Sequence, residues 1–150
     1  MNIELRRAIP SDAEELTKLA FASKRYWGYP EEWIELWADD LSVNADYIET
    51  NFVFTANHEA RILGWVSVTP GGEELDYCWV DPEFIGRGVG SELVKQAVKI
   101  AYELNSAKLK VVSDPNAERF YKNAGFQRTG EHASVPNGRL LPVMELQCRP

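Results

Sequence analysis

Apolar residues along this chain follow two periods, and the changes of period mark out its elements. Asn2 to Arg7 alternates, with Ile3 and Leu5 on one face, and reads as a short opening strand. From Ser11 the spacing becomes helical, with Ala13, Leu16, Leu19 and Ala20 in one stripe. Ser11-x-x-Glu14 fits a capping box, and Asp12, Glu14 and Glu15 suit the positive end of the helix dipole. Gly28-Tyr29-Pro30 breaks this helix. Pro30 and Glu31-Glu32 then open a second one, along which Trp33, Ile34, Trp37 and Leu41 recur at helical spacing.

Phe52 to Ala56, Ile62 to Thr69 and Glu74 to Val80 are rich in aromatic and β-branched residues. Asn57-His58-Glu59 and Pro70-Gly71-Gly72 separate them, which predicts an antiparallel meander. A helix from Val89 to about Glu103 carries Leu93, Val94, Ala97, Ile100 and Ala101 on its inner face. Lys108 to Ser113 reads as a strand and Asn116 to Ala124 as a short helix. Phe126 to Glu131 and Leu141 to Cys148 read as a closing pair of strands. The order β-α-α-β-β-β-α-β-α-β-β predicts a mixed α/β (α+β) sheet, not an alternating doubly wound one. No composition shift or repeat divides the 150 residues, so one domain over residues 1–150 is expected.

Charge narrows the partners. Lys+Arg 16 against Asp+Glu 23 gives a net charge of -7, the reverse of what a nucleic-acid binder shows. That sign suits a cationic or neutral small substrate. Cys78 and Cys148 form neither a metal-site spacing nor a scaffold of bridges. No apolar run approaches the ~20 residues of a membrane span, and none follows Arg6-Arg7. A reducing, cytoplasmic setting is therefore expected, with no membrane, nucleic acid or metal as partner.

Two segments point to chemistry. Val80-Asp81-Pro82-Glu83-Phe84-Ile85-Gly86-Arg87-Gly88-Val89-Gly90 runs directly into a helix. Its alternate glycines allow a tight turn whose N–H groups face one hollow, and such a hollow at a helix N-terminus binds phosphate or pyrophosphate. No Gly-Lys-Ser/Thr follows, and Gly-x-Gly-x-Gly after an antiparallel strand is a poor dinucleotide fingerprint. A turn serving geometry alone is the other reading. The second segment is Ser113-Asp114-Pro115-Asn116-Ala117-Glu118-Arg119-Phe120-Tyr121-Lys122-Asn123-Ala124-Gly125-Phe126. There Asp114 is a natural N-cap, Pro115 suits the first helical position and Gly125 ends the helix. Structure explains Asn116 and Tyr121 less readily, although a core aromatic is the other reading of a Tyr on a short helix.

Together these segments closely resemble the GNAT superfamily of N-acetyltransferases. The likeness covers nearly the whole element order and is motif-specific from about Leu75 to Phe126. The early Lys24-Arg25-Tyr26-Trp27-Gly28-Tyr29 and the closing Glu131-x-x-Ser134-x-x-x-Gly138-Arg139-x-Leu141-Pro142 look like a small bacterial subgroup with no settled substrate. One departure concerns the family's loop pattern, Arg/Gln-x-x-Gly-x-Gly/Ala. Ile85 stands at its first place, and Arg87 follows two positions on.

The resemblance implies a GNAT fold: a twisted, mostly antiparallel sheet of about seven strands, splayed between strands 4 and 5 and flanked by four helices. It implies acetyl-CoA-dependent transfer to a primary amine of a small molecule or protein, by direct attack in a ternary complex. A CoA-binding sensory module without turnover, or an acyltransferase using a different acyl-CoA, is the alternative. A homodimer is common in the family. Acetyl-CoA would lie between the strand ending at Val80 and the strand ending at Ser113. Backbone groups of Cys78, Trp79 and Val80 would pair with the pantetheine arm, and the Val80 N–H would polarise the thioester oxygen. Ile85, Gly86, Arg87, Gly88, Val89, Gly90 and Ser91 would line the cofactor, with amides from Arg87 onward holding the pyrophosphate. Asn116 would hydrogen-bond the pantetheine beside Ala117 and Phe120, and Tyr121 would be the general acid.

For the general base, strict alternation puts Glu74, Asp76, Cys78 and Val80 on one face and Leu75, Tyr77 and Trp79 on the other. Glu74 lies six residues before Val80, where several family members place a glutamate. Asp76 is its rival, and solvent is the remaining option. Tyr26, Trp27, Tyr29 and Trp33 would wall the acceptor site and hold a cationic amine by cation–π attraction. Arg139 would clamp a substrate carboxylate, and His132 would border the pocket. His58 reads as a solvated turn residue.

Overall fold

β-branched and aromatic runs become strands, and the amphipathic stripes become the helices that cover them, in a computed structural model that describes residues 1–149. In chain order the elements are β1 (Glu4–Arg7), α1 (Ala13–Arg25), α2 (Glu31–Leu36), α3 (Ala38–Leu41), α4 (Ala45–Thr50), β2 (Phe52–His58), β3 (Arg61–Val68) and β4 (Leu75–Val80). Then follow α5 (Val89–Glu103), β5 (Lys108–Val112), α6 (Glu118–Asn123), β6 (Gln127–Ser134) and β7 (Arg139–Gln147). Single 3-10 turns at Pro10–Asp12, Pro82–Phe84 and Pro115–Ala117 lead out of β1, β4 and β5.

The strands form two antiparallel sheets, β1-β2-β3-β4 and β5-β7-β6. β4 and β5 run parallel and touch at one end only, through the Glu74–Lys110 bridge and the Lys110 N–H to Glu73 carbonyl bond of 3.0 Å. From that hinge they diverge. The splay expected between strands 4 and 5 is thus complete enough to divide the sheet in two.

Each face has its own core. On one, α5 buries Val89, Leu93, Val94, Ala97, Ile100 and Ala101 against Val66, Val68, Leu109 and Met144. A fully buried leucine such as Leu93 contributes about 2 kcal/mol. On the other face α1, α2 and α3 set Leu16, Leu19, Ile34, Trp37 and Leu41 over Val53 and Trp65. Trp65 is fully buried, and its indole N–H donates to the Leu16 carbonyl at 3.0 Å, which fixes α1 on the sheet.

Three local expectations change. The cap before α1 is Asp12, whose carboxylate accepts the Ile9 N–H at 2.9 Å and the Arg6 guanidinium at 2.8 Å, so Ser11 and Glu14 make no capping box. The second helix breaks at Trp37, whose φ of -92° and ψ of 3° leave the helical range, giving α2 and α3. α4 adds a helix that periodicity misses, capped by the Asn44 side chain accepting the Tyr47 N–H at 2.8 Å. Among the described residues six helices therefore flank the sheets where four were expected.

Candidate active site

The divergence of β4 and β5 opens a cleft of about 780 Å³ running from the glycine loop to the ends of α1, α3 and β7. Its β4 wall follows from strand register. Asp81 N–H bonds to the Leu63 carbonyl at 2.8 Å, and Gly64 lies opposite Val80. In an antiparallel pair the bonded residues alternate, so Tyr77, Trp79 and Asp81 turn their backbone groups toward β3. Cys78 and Val80 turn theirs into the cleft. Trp79 is a correction here: its backbone belongs to β3, and only its side chain is available to the cleft. β5 mirrors this, because Ser113 N–H bonds to the Pro142 carbonyl at 2.8 Å and leaves Val112 facing the gap. Gly64 keeps the β3–β4 approach close, since a Cβ there would lie 2.7 Å from the Trp79 carbonyl oxygen.

A bulge also corrects the face assignment on β4. Leu75 pairs with Val68 and Tyr77 with Ser67, so Asp76 is an extra residue. The phase slips there. Leu75 joins Cys78 and Val80 on the α5 face, whereas Tyr77 and Trp79 pack on the face covered by α1 to α3. Asp76 accepts a short hydrogen bond from the Tyr47 hydroxyl, which in turn bonds Ser67 Oγ at 2.8 Å. Burial and this carboxylate push the Tyr47 phenol far above its ordinary value. Glu74 lines the same cleft beside the Lys110 bridge.

At the other end the glycine loop closes on the N-terminus of α5. Gly86 and Gly88 have φ of 83° and 85°, in the left-handed region that favours glycine, and beyond the adjoining residues no atom lies within 4 Å of a Cβ built on either. Gly90 is tighter, since its Cβ would lie 3.1 Å from the Phe120 ring. Ile85, Gly86, Gly88, Val89, Gly90 and Ser91 line the cleft together with Asn116, Ala117, Phe120 and Tyr121. Arg87 does not; its guanidinium lies 5.6 Å from the Phe84 ring centre. Tyr121 is 5% exposed, and its hydroxyl has no hydrogen-bond partner among the described residues. Burial holds its phenol well above the usual value, and burial also pushes the Cys78 thiol up to about 12.

The far half is a polar network on aromatic rings. The Lys24 ammonium, side chain 12% exposed, meets Asp114 at 2.6 Å and lies 4.5 Å from the Trp37 ring centre. Tyr29 donates its hydroxyl proton to Asp114 (3.0 Å) and accepts from Asn116 Nδ2 and from an Arg139 N–H, each at 3.0 Å. Burial is the largest influence on both ionic groups. It lowers the Lys24 pKa, but for Asp114 the Lys24 charge and several hydrogen bonds outweigh it and hold the carboxyl below the ordinary range.

Of the four aromatics expected to wall the acceptor site only one lines the cleft, and the cations over Tyr29 are the protein's own Lys24 and Arg139. Trp27 lines the cleft; Tyr29 and Trp33 stand behind Arg139; Tyr26 is 52% exposed and packs edge-on against Trp27. His132 lines the cleft, and His58 sits at the end of β2 with Nδ1 3.0 Å from the Asn2 carbonyl. Lys24, Trp37, Asp40 and Tyr47 were not singled out as site residues from the sequence. The lysine stood in a quoted motif, while Trp37 matched a core stripe.

The sequence matches the Acetyltransferase (GNAT) family over residues 13–126, from the start of α1 through α6. The chain belongs to the GNAT family. It is an acyltransferase of the N-acetyltransferase kind. Peptidyl-lysine N-acetyltransferase YjaB of Escherichia coli is 27% identical over 135 residues, covering 77% of this chain and 88% of that protein. The uncharacterized N-acetyltransferase YafP of Escherichia coli is 28% identical, covering 99% of this chain and 97% of that one. Among solved structures, a GCN5-related N-acetyltransferase from Rhodopseudomonas palustris shares the fold with a TM-score of 0.83 at 24% identity, covering 98% of this chain and 96% of that one. The PaiA N-acetyltransferase of Thermoplasma acidophilum, solved with coenzyme A, has a TM-score of 0.80 at 20% identity, covering 98% and 99%. No helix among the described residues is long and apolar enough to cross a membrane.

Proposed function

We propose that this chain transfers an acetyl group from acetyl-CoA to a primary amine, both bound together in the β4–β5 cleft. The observation that carries the reading is the open edge of β4, where the N–H and C=O groups of Cys78 and Val80 have no strand partner among the described residues. Such an edge pairs with an extended, amide-bearing arm as an added strand would. When bound, acetyl-CoA supplies the activated acetyl thioester. The amides from Arg87 to Ser91 at the N-terminus of α5 would receive its phosphates, in the open space that the Gly86 and Gly88 positions leave. The Val80 N–H would donate to the thioester oxygen, where negative charge develops.

Direct attack forms the N–C bond and breaks the C–S bond. The amine proton passes to Asp76 or Glu74, and a proton from Tyr121 goes to the departing sulfur. Tyr121 is suited to that task because burial keeps the phenol protonated and its hydroxyl is bound to no neighbour. Cys78 is poorly suited to carry the acetyl group, since a thiol pushed up to about 12 is not a nucleophile at neutral pH. The relation to YjaB makes a protein lysine one acceptor class and a small amine the other. Free thiols at Cys78 and Cys148 fit a cytoplasmic setting.

The test is release of CoA thiol from acetyl-CoA on addition of an amine panel, with the acetylated amine identified by mass. Amine-dependent release supports the reading. Binding of acetyl-CoA with no release for any amine would leave a sensory module instead.

A further inference from the structure

We propose that the acceptor carries a carboxylate in addition to its amine, with Arg139 receiving the carboxylate and the acidic pair Asp40 and Asp76 receiving the amine. This rests on the N-acetyltransferase reading and names the substrate class of that same cleft. The two cations of the acceptor half differ in one respect. Lys24 is neutralised by Asp114 at 2.6 Å. Arg139 has no carboxylate within ion-pair distance among the described residues, and its one side-chain hydrogen bond goes to Tyr29.

Arg139 is nevertheless held in place. Its guanidinium lies 5.0, 5.7 and 4.8 Å from the ring centres of Tyr29, Trp33 and Trp37, and the residue is half-buried at the cleft wall. A guanidinium has five N–H donors in a rigid fork. Here most remain free while the rings fix the plane, an arrangement that matches a carboxylate bidentately.

The same cleft also carries an acidic pair. Asp40 on α3 and Asp76 at the β4 bulge both line the cleft, and neither has a Lys or Arg within 4.0 Å among the described residues. Both act on the Tyr77 phenol, which burial first and then these two carboxylates push up to about 12. The rings of Tyr77 and Trp79 stack 6.2 Å apart, and the Lys24 ammonium lies 5.9 Å from Trp79 and 4.5 Å from Trp37, the ring that Arg139 also covers. A run of aromatic contacts thus joins the acidic pair to Arg139, and the two kinds of charge in one cleft suit an acceptor that bears both an amine and a carboxylate.

The experiment uses the whole chain, saturating acetyl-CoA and pairs of probes that differ only in the carboxylate. These are 4-aminobutanoate against propylamine and 6-aminohexanoate against pentylamine, with Nα-acetyl-lysine amide as a peptidyl-lysine mimic. Wild type is expected to favour the amino acids by about tenfold or more in kcat/KM, the size of one charge-assisted contact. Arg139→Gln should erase that preference through KM with little change in kcat, and Arg139→Lys should restore part of it. Equal rates within each pair, a preference that survives Arg139→Gln, or turnover of the lysine amide alone would overturn the proposal while leaving N-acetyl transfer intact. Acetyl-CoA binding without thiol release for every probe would overturn both readings.

Discussion

Replacing Tyr121 with phenylalanine separates chemistry from packing. The ring makes edge contacts with Phe120 and Phe126, centred 5.1 and 5.4 Å away, and Phe would keep both. The hydroxyl bonds no neighbour among the described residues, so its loss leaves no orphaned partner, and folding stability should change by less than about 0.5 kcal/mol. The proton it would deliver matters only as the C–S bond breaks. Its removal should therefore lower kcat by about 10²-fold, or about 2.7 kcal/mol of barrier, with acetyl-CoA affinity unchanged. Because the phenol stays protonated, the loss should be constant across the neutral and mildly alkaline range. Steady-state kinetics by thiol release, calorimetric binding of acetyl-CoA and a thermal melt give the three quantities. A kcat within about threefold of native would refute the acid role. Lost stability with kcat retained would mark Tyr121 as a packing residue.

Gly88→Val meets open space but strains the backbone at φ 85° by about 1–2 kcal/mol, so a thermal melt should show a folded, weakened protein whose calorimetric Kd for acetyl-CoA is raised at least about tenfold. Unchanged affinity would remove the phosphate cradle. Glu74→Gln or Asp76→Asn, whichever replaces the base, should cost roughly 10²–10⁴-fold in rate at neutral pH, with much of it regained at high pH where the amine is already neutral. Near-native rates for both would leave solvent as base. Asp114→Asn should destabilise the protein by about 3 kcal/mol in denaturant melts, because it strands the Lys24 charge. The folded-state carboxyl of Asp114 lies below its unfolded value, so its contribution is present above the unfolded pKa of about 4 and is lost as pH falls through the lower, folded one. The thermal midpoint of the native protein should drop over that acid window, and the Asn variant should lose this part of the drop.

The fold was readable where one periodicity ran unbroken. α5 occupies the span that its stripe predicts, Val89 to Glu103, and the meander from Phe52 to Val80 keeps its three strands. α4 escaped because six residues give too little period to detect, and the break at Trp37 escaped because that residue serves the apolar stripe on both sides. The loop glycines and the Asn116–Tyr121 segment were visible because their residue types exceed what turns and caps require. The acceptor half was only partly visible. Lys24, Asp114 and Arg139 meet across 90 and 110 positions of chain through Tyr29 and the β5 and β7 ends, contacts that no local spacing encodes. Alternation along β4 misled at Asp76, because a single inserted residue changes which faces its neighbours serve.

Central to the account is that the donor lies along the unpaired edge of β4. Amide spectra of the isotopically labelled protein, recorded as acetyl-CoA is added, test this most directly. The largest shifts and the greatest gain in protection from exchange are expected at Cys78 and Val80 and along Gly86 to Ser91, with the Trp79 amide, already bonded to β3, gaining little. Saturable binding of acetyl-CoA that leaves Cys78, Val80 and the glycine loop unperturbed would contradict it.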